Sequence, residues 1–276
     1  MKNILIPIDF SKNSQSAVQY ALMLYKNEVC TFYFLHSTNF INSTSRTYIT
    51  PHYVEESYKK GLKKMQELEL KTKRENANTK HDYKNIISND KLHTAIDKAI
   101  KQNDIELIIM GTKGCTAAVE FFAGSNTVEV INKVKNCPIL VIPEEYSFVA
   151  PKQIGFPTDY NRKYTDRELE TLKNMTTLYN SEIRIVHINV EKSLTLAQKH
   201  NIERLEKYLA DQKYNFHYID DNSKKSENII MFIKDYKIDM LAMVNYEHGP
   251  IENVLKEPVI KKLAFHPRIP LLVIPE

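Results

Sequence analysis

The segment Leu107-Ile-Ile-Met110-Gly111-Thr-Lys113-Gly114-Cys-Thr-Ala-Ala-Val-Glu-Phe-Phe-Ala-Gly124-Ser125-Asn126-Thr127 changes character twice. An apolar run of strand length gives way to a loop, and the loop closes at Gly124-Ser125, where a helical pattern begins. Three of the six glycines in the 276 residues lie in this loop, although an average protein carries about 7% glycine. Glycine permits positive φ and lets a ligand approach the backbone closely. A loop that leaves a strand and closes on a helix N-terminus is a geometry that cradles phosphate through backbone N–H groups and the helix dipole. The segment therefore marks a candidate phosphate site in an α/β fold.

The flanking sequence occurs twice. Pro138-Ile-Leu-Val-Ile-Pro-Glu144 returns as Pro270-Leu-Leu-Val-Ile-Pro-Glu276. Ile4-Leu-Ile-Pro7-Ile8-Asp9-Phe10 has a counterpart in Gln153-Ile-Gly-Phe-Pro-Thr-Asp159-Tyr160, and Asp104-Ile-Glu-Leu-Ile-Ile-Met110 matches Lys237-Ile-Asp-Met-Leu-Ala-Met243. Three matched strands in one order predict two tandem domains, 1–146 and 151–276, joined near Glu145–Pro151. In the first copy the pattern predicts strands near 2–8, 30–36, 82–88, 105–110 and 138–143, with helices near 13–27, 52–75, 91–102 and 125–135. Strands near 152–156, 182–190, 214–219, 238–244 and 270–274 follow in the second copy, with helices between them, one at about 193–211. Ser11 is placed as the N-cap of the first helix, with Ala17, Ala21 and Leu24 at helical spacing behind it. Alternating strands and helices with Val/Ile/Leu runs predict parallel sheets covered by helices on both faces. Ligands of such sheets bind beyond the C-terminal strand ends, where Asp9 and Gly111 both fall.

Composition narrows the class. The chain is 42% hydrophobic and 26% charged, with a net charge of +4, which describes a soluble globular protein. No run approaches the roughly 18 apolar residues of a membrane span, and Met1 to Asp9 reads as a strand rather than a signal peptide. A cytoplasmic protein with no membrane partner is expected. Cys30, Cys115 and Cys137 are odd in number and widely spaced, so they suggest neither a disulfide framework nor a metal site. The basic stretch from Lys59 to Lys80, eight Lys/Arg against three Glu, reads as a solvated helix face rather than a nucleic-acid surface. His36 and His187 take equivalent strand-two positions and read as packed rather than ligating. No nucleophile–base pair, Walker A loop or Gly-x-Gly-x-x-Gly is present.

Gly111-x2-Gly114-x9-Gly124-Ser125 resembles the nucleotide loop of the universal stress proteins, specifically their ATP-binding branch in a tandem two-domain form. Ile-Pro7-Ile8-Asp9-Phe-Ser, Phe34-Leu35-His36 and Cys137-Pro-Ile-Leu-Val-Ile carry the same likeness. The resemblance implies a sheet order of 3-2-1-4-5 in each domain and a site for ATP (or AMP or ADP); the phosphates would bring Mg²⁺, which Asp9 could help orient. It implies that Asp9 holds the ribose, that Pro7 and Ile8 wall the base, and that Ser37 offers a backbone contact to adenine. Met110 and Gly111 would line the ribose. Gly114, Gly124, Ser125, Asn126 and Thr127 would hold phosphates, with Lys113 as a charge-assisted partner. Asn126 departs from the small apolar residue usual there, a change that keeps the backbone N–H.

The second copy departs further. Met243-Val244-Asn-Tyr-Glu247 stands in place of Met110-Gly-Thr-Lys-Gly114, and Lys256-Glu257-Pro258 in place of Gly-Ser. It is expected to bind no ATP and to serve as a pseudo-dimer partner, with a homodimer and an unidentified signalling protein as further partners. Nucleotide-dependent sensing is the expected function. A nucleotide-free scaffold or dimerisation module, and a slow ATPase without a dedicated base, are the alternatives. The plainer readings stay open too: a loop that needs glycine for its own turns, Asp9 as a helix cap, and Ser125 and Thr127 as caps.

Overall fold

The computed structural model describes residues 1–38, 50–112, 125–189, 193–220, 225–246 and 269–276. In the first half, β1 (Lys2–Pro7), β2 (Cys30–Ser37), β3 (His81–Ser88), β4 (Leu107–Gly111) and β5 (Ile139–Ile142) alternate with α1 (Lys12–Leu24), α2 (Pro51–Glu75), α3 (Leu92–Asn103) and α4 (Ser125–Lys133). In the second half, β6 (Gln153–Pro157), β7 (Glu182–Asn189), β8 (Lys213–Asp220), β9 (Met240–Asn245) and β10 (Leu271–Pro275) alternate with α5 (Asp166–Tyr179), α6 (Leu196–Tyr208) and α7 (Lys225–Asp235). All ten expected strands are present.

The inner strands carry continuous apolar runs, such as Ile4–Pro7, Leu107–Met110, Ile139–Ile142 and Leu271–Ile274, because both faces of the sheet are covered there. In β1, Ile4 and Ile6 enter one core with Ala17, Ala21 and Met65, while Leu5 enters the other with Ala95, Ile96 and Val130. Successive side chains of one strand thus feed opposite layers. Helices α1, α5 and α6 start where a side chain satisfies a first-turn N–H group. Ser11 Oγ accepts from Ser14 N–H at 3.3 Å as expected, and Thr165/Glu168 and Thr195/Gln198 form capping boxes on α5 and α6.

The strand order is β3-β2-β1-β4-β5-β10-β9-β6-β7-β8. Each half therefore has the expected 3-2-1-4-5 order and parallel pairing, but the two halves make one ten-stranded sheet rather than two separate ones. The seam is the antiparallel pair β5–β10, in which Ile139 faces Val273, Leu140 faces Leu272 and Val141 faces Leu271. Leu140 and Leu272 are equivalent residues of the repeat, so a local pseudo-two-fold axis passes between them. That is the self-complementary contact of an isologous dimer, made here within one chain. The connector is anchored as well: Tyr146 and Phe148 lie 6.2 and 5.1 Å from the Tyr20 ring, and Phe148 lies 5.9 Å from Tyr179.

The basic helix face is solvated. Lys59, Lys60 and Lys73 reach Glu55, Glu56 and Glu69 at 2.7, 2.8 and 2.7 Å along α2, an i,i+4 arrangement of an exposed surface. Cys30 and Cys137 are buried, and burial pushes both thiols up to about 12, which leaves them without thiolate at neutral pH.

Candidate functional site

The site is built at the C-terminal edge of the first half-sheet. Beyond β1 the chain turns within residues 8–11, and this turn is held from β2. Ile8 N–H donates to the Leu35 carbonyl at 2.7 Å, and His36 Nδ1 donates to the Ile8 carbonyl at 2.7 Å. Phe10 takes a left-handed backbone (φ 64°) and lays its ring 4.7 Å from that of His36. The turn leaves Asp9 exposed at the sheet edge. Its Oδ1 accepts from the Ser11 hydroxyl at 2.6 Å and from Ser11 N–H at 2.9 Å. Partial burial pushes the Asp9 carboxyl upward, but the Ser11 hydroxyl and N–H, helped by Ser14, outweigh it and hold the group below the usual aspartate value.

Gly111, at the end of β4, meets a constraint from inside the fold. A Cβ there would lie 2.2 Å from the Asn13 carbonyl oxygen and 2.6 Å from its carbon. The first turn of α1 presses directly on this residue. Close helix–strand packing therefore demands glycine at 111 whatever binds above it. Ala17 and Ala21, both fully buried, supply the small side chains that allow so close an approach.

The remaining residues take distinct places. Pro7 and Ile8 are buried. Met110 is buried in the core on the α3–α4 side. Ser37 Oγ donates to the Asp90 carbonyl at 2.6 Å, tying β2 to the turn after β3. Ser125 opens α4, Asn126 is exposed, and Thr127 is buried with its hydroxyl donating to the Gly111 carbonyl at 3.4 Å. Lys113, Gly114 and Gly124 lie outside the described residues, as do Glu247 and Lys256–Pro258 of the second copy.

The second half repeats the turn and then fills the edge. His187 Nδ1 donates to the Thr158 carbonyl at 2.9 Å, and Tyr160 is left-handed (φ 55°) with its ring 4.9 Å from His187. Both histidines thus pack in place as the repeat suggested. However, eight residues (158–165) precede α5 where four (8–11) precede α1. The longer loop carries Arg162, whose guanidinium pairs with Glu168, reaches Glu276 at 2.6 Å and lies 3.9 Å over the Tyr246 ring. Tyr246 is the counterpart of Lys113. Val244, the counterpart of Gly111, is accommodated as a core residue. At matched distances from the N-cap, α5 presents Glu168, Leu172 and Met175 where α1 presents Ser14, Val18 and Ala21. Arg162, Glu168 and Glu276 were not singled out from the sequence. The Thr165-x-x-Glu168 capping box, four residues further from Asp159 than Ser11 lies from its own aspartate, was the available signal.

The sequence model of the universal stress protein family matches residues 1–143. The chain belongs to this family, whose members are stress-response proteins. Among solved structures, a universal stress protein from Archaeoglobus fulgidus DSM 4304 is similar at a TM-score of 0.73 and 16% identity, over 99% of this chain and 98% of that one. A protein of unknown function from Pseudomonas aeruginosa PAO1 gives 0.62 and 10%, over 100% and 92%. The cytoplasmic domain of a prokaryotic cation chloride cotransporter gives 0.55 and 8%, over 99% and 94%. Such similarities establish a shared fold only, and the cotransporter domain illustrates how little the fold alone says of function. No curated protein sequence matches the chain. No helix among the described residues is long and apolar enough to cross a membrane.

Proposed function

We propose that the protein binds ATP, or AMP or ADP, at the edge of its first half and works as a cytoplasmic nucleotide-dependent sensor or signalling protein. The observation that carries this is convergence. The exposed Asp9 carboxylate, the end of β4 at Gly111 and the N-terminus of α4 meet at the C-terminal edge of neighbouring parallel strands, β1 and β4, where α/β sheets bind ligands. Asp9 would accept from the ribose hydroxyls, and the N–H groups opening α4 would face the phosphates. Mg²⁺ would arrive with the phosphates, since hard cations prefer oxygen ligands. The second half, with Arg162 and Tyr246 at the matching edge, would serve as a nucleotide-free partner. The packing role of Gly111 favours a second reading, a nucleotide-free scaffold, because it explains one loop glycine without a ligand.

Thermal unfolding with and without ATP–Mg²⁺ separates the two. At ligand a hundredfold above Kd, binding adds about 2.7 kcal/mol, a rise of roughly 5–10 °C. Gly124→Asp should abolish the rise. No rise in the wild type at high ATP would leave the scaffold standing.

Asp9→Asn gives a finer test. Asparagine keeps an acceptor for Ser11 but loses the charge, so nucleotide affinity should fall about tenfold. The same variant reads the linkage. A carboxyl held below its unfolded value contributes stability above that value, about 3.9, and loses it as pH falls through the folded pKa. The wild type should therefore exceed Asp9→Asn in stability at pH 7, with the gap closing in denaturant melts as pH falls through the lowered folded-state pKa of Asp9. A gap independent of pH would rule out the Ser11 hydrogen bonds as its source.

A further inference from the structure

The C-terminal end of α4 is held by the other half of the chain. A helix leaves its last carbonyls without internal partners, and the Ile131 carbonyl belongs to this set, since α4 ends at Lys133. Asn245 Nδ2 donates to it at 3.2 Å from the end of β9. In the turn that follows, the Asn136 carbonyl accepts from Arg167 Nη2 at 2.7 Å. Arg167 belongs to the first turn of α5. Thus one donor from the second half caps a last-turn carbonyl of α4, and a second, cationic one holds the segment just beyond the helix end.

At its other end α4 is tied by the Thr127 hydroxyl to the Gly111 carbonyl. A helix of nine residues is about 13 Å long, so fixing one end sets where the other points. Asn245 is the counterpart of Thr112. The strand end that precedes a phosphate loop in the first half therefore supports, in the second half, the neighbouring phosphate helix.

We infer that Asn245 and Arg167 are positioning residues for nucleotide binding: by holding the C-terminal end of α4 they aim its N-terminus at the phosphates. This rests on the nucleotide reading given above. It makes the second half a structural part of the first half's site rather than a spent copy. Loss of the grip should weaken contacts to phosphate and leave those to the nucleoside alone.

The experiment compares the full-length wild type with Asn245→Ala/Arg167→Ala, titrating each with ATP–Mg²⁺ and with adenosine by calorimetry. The double variant is expected to lose about tenfold in ATP affinity, the worth of two hydrogen bonds, with adenosine affinity unchanged. Asn245→Asp, which keeps the size but cannot donate, should lose in the same selective way and serves if the double variant does not fold. Amide exchange along 127–135 should quicken in both variants. Unchanged ATP affinity, or equal losses for the two ligands, would overturn the inference while the nucleotide reading stands. A wild type that binds neither ligand would overturn the nucleotide reading, and this inference with it.

Discussion

Gly111→Val is expected to destabilise the protein by about 3 kcal/mol or more in the absence of any ligand, lowering Tm by roughly 6–12 °C. The second half carries valine at the matching position, which makes the substitution look harmless from sequence. It is not, because the offending atom is the Cβ itself, 2.2 Å from the Asn13 carbonyl oxygen. The obstacle is backbone rather than a side chain that could rotate away. Relief requires α1 to withdraw from β4, which opens the packing of Ala17 and Ala21 and disturbs the Ser11 cap. Gly111→Ala should therefore cost nearly as much as Gly111→Val, a flat response that a ligand-clearance role does not produce. Val244→Ala, by contrast, only removes methyl groups from a buried position and should cost about 1–2 kcal/mol. Urea unfolding of the ligand-free variants measures all three. If Gly111→Ala stays within about 0.5 kcal/mol of wild type, glycine at 111 serves the ligand and not the packing.

The difference between the two copies shows what could be read in advance. The strands were legible because parallel strands buried on both faces must be apolar throughout, as in Ile139–Ile142 and Leu271–Pro275, and such runs survive where other features change. The repeat also gave the seam its pseudo-symmetry, since two nearly identical terminal strands can pair antiparallel with Leu140 opposite Leu272. The reason for Gly111 was hidden. A close approach between Asn13 and Gly111 joins residues far apart in sequence, and a glycine that clears a helix looks the same in sequence as one that clears a phosphate. Ser37 was hidden in the same way: nothing local states that its hydroxyl closes on the Asp90 carbonyl. The filling of the second edge was half legible. Val244 and Tyr246 stood out as replacements for glycine and lysine, but Arg162 lies in an insertion with no counterpart in the first copy.

Arg162→Ala should be the most costly substitution of the second half's edge, at about 2–3 kcal/mol. Glu168 is 1% exposed and Arg162 is its cationic partner. Its other contacts, Thr165 N–H at 2.6 Å and the Thr165 hydroxyl at 2.9 Å, are neutral. Removing one partner of a buried pair leaves an uncompensated charge, a loss of about 3–5 kcal/mol when both ends are buried. Arg162 keeps 29% of its side chain exposed, so solvent screening places the loss at the lower figure. Glu276, with 41% of its side chain exposed, should couple to Arg162 by less than about 1 kcal/mol. A double-mutant cycle separates the two carboxylates. Glu168→Gln preserves the capping box, because glutamine also serves at that position, and removes only the charge. Arg162→Ala should therefore cost much less in the Glu168→Gln background than in the wild type, whereas Glu276→Gln should change its cost little. Equal costs in all three backgrounds would mean that Arg162 acts by packing over Tyr246. In that case Arg162→Met, which keeps a long apolar stem, would restore most of the stability lost in Arg162→Ala.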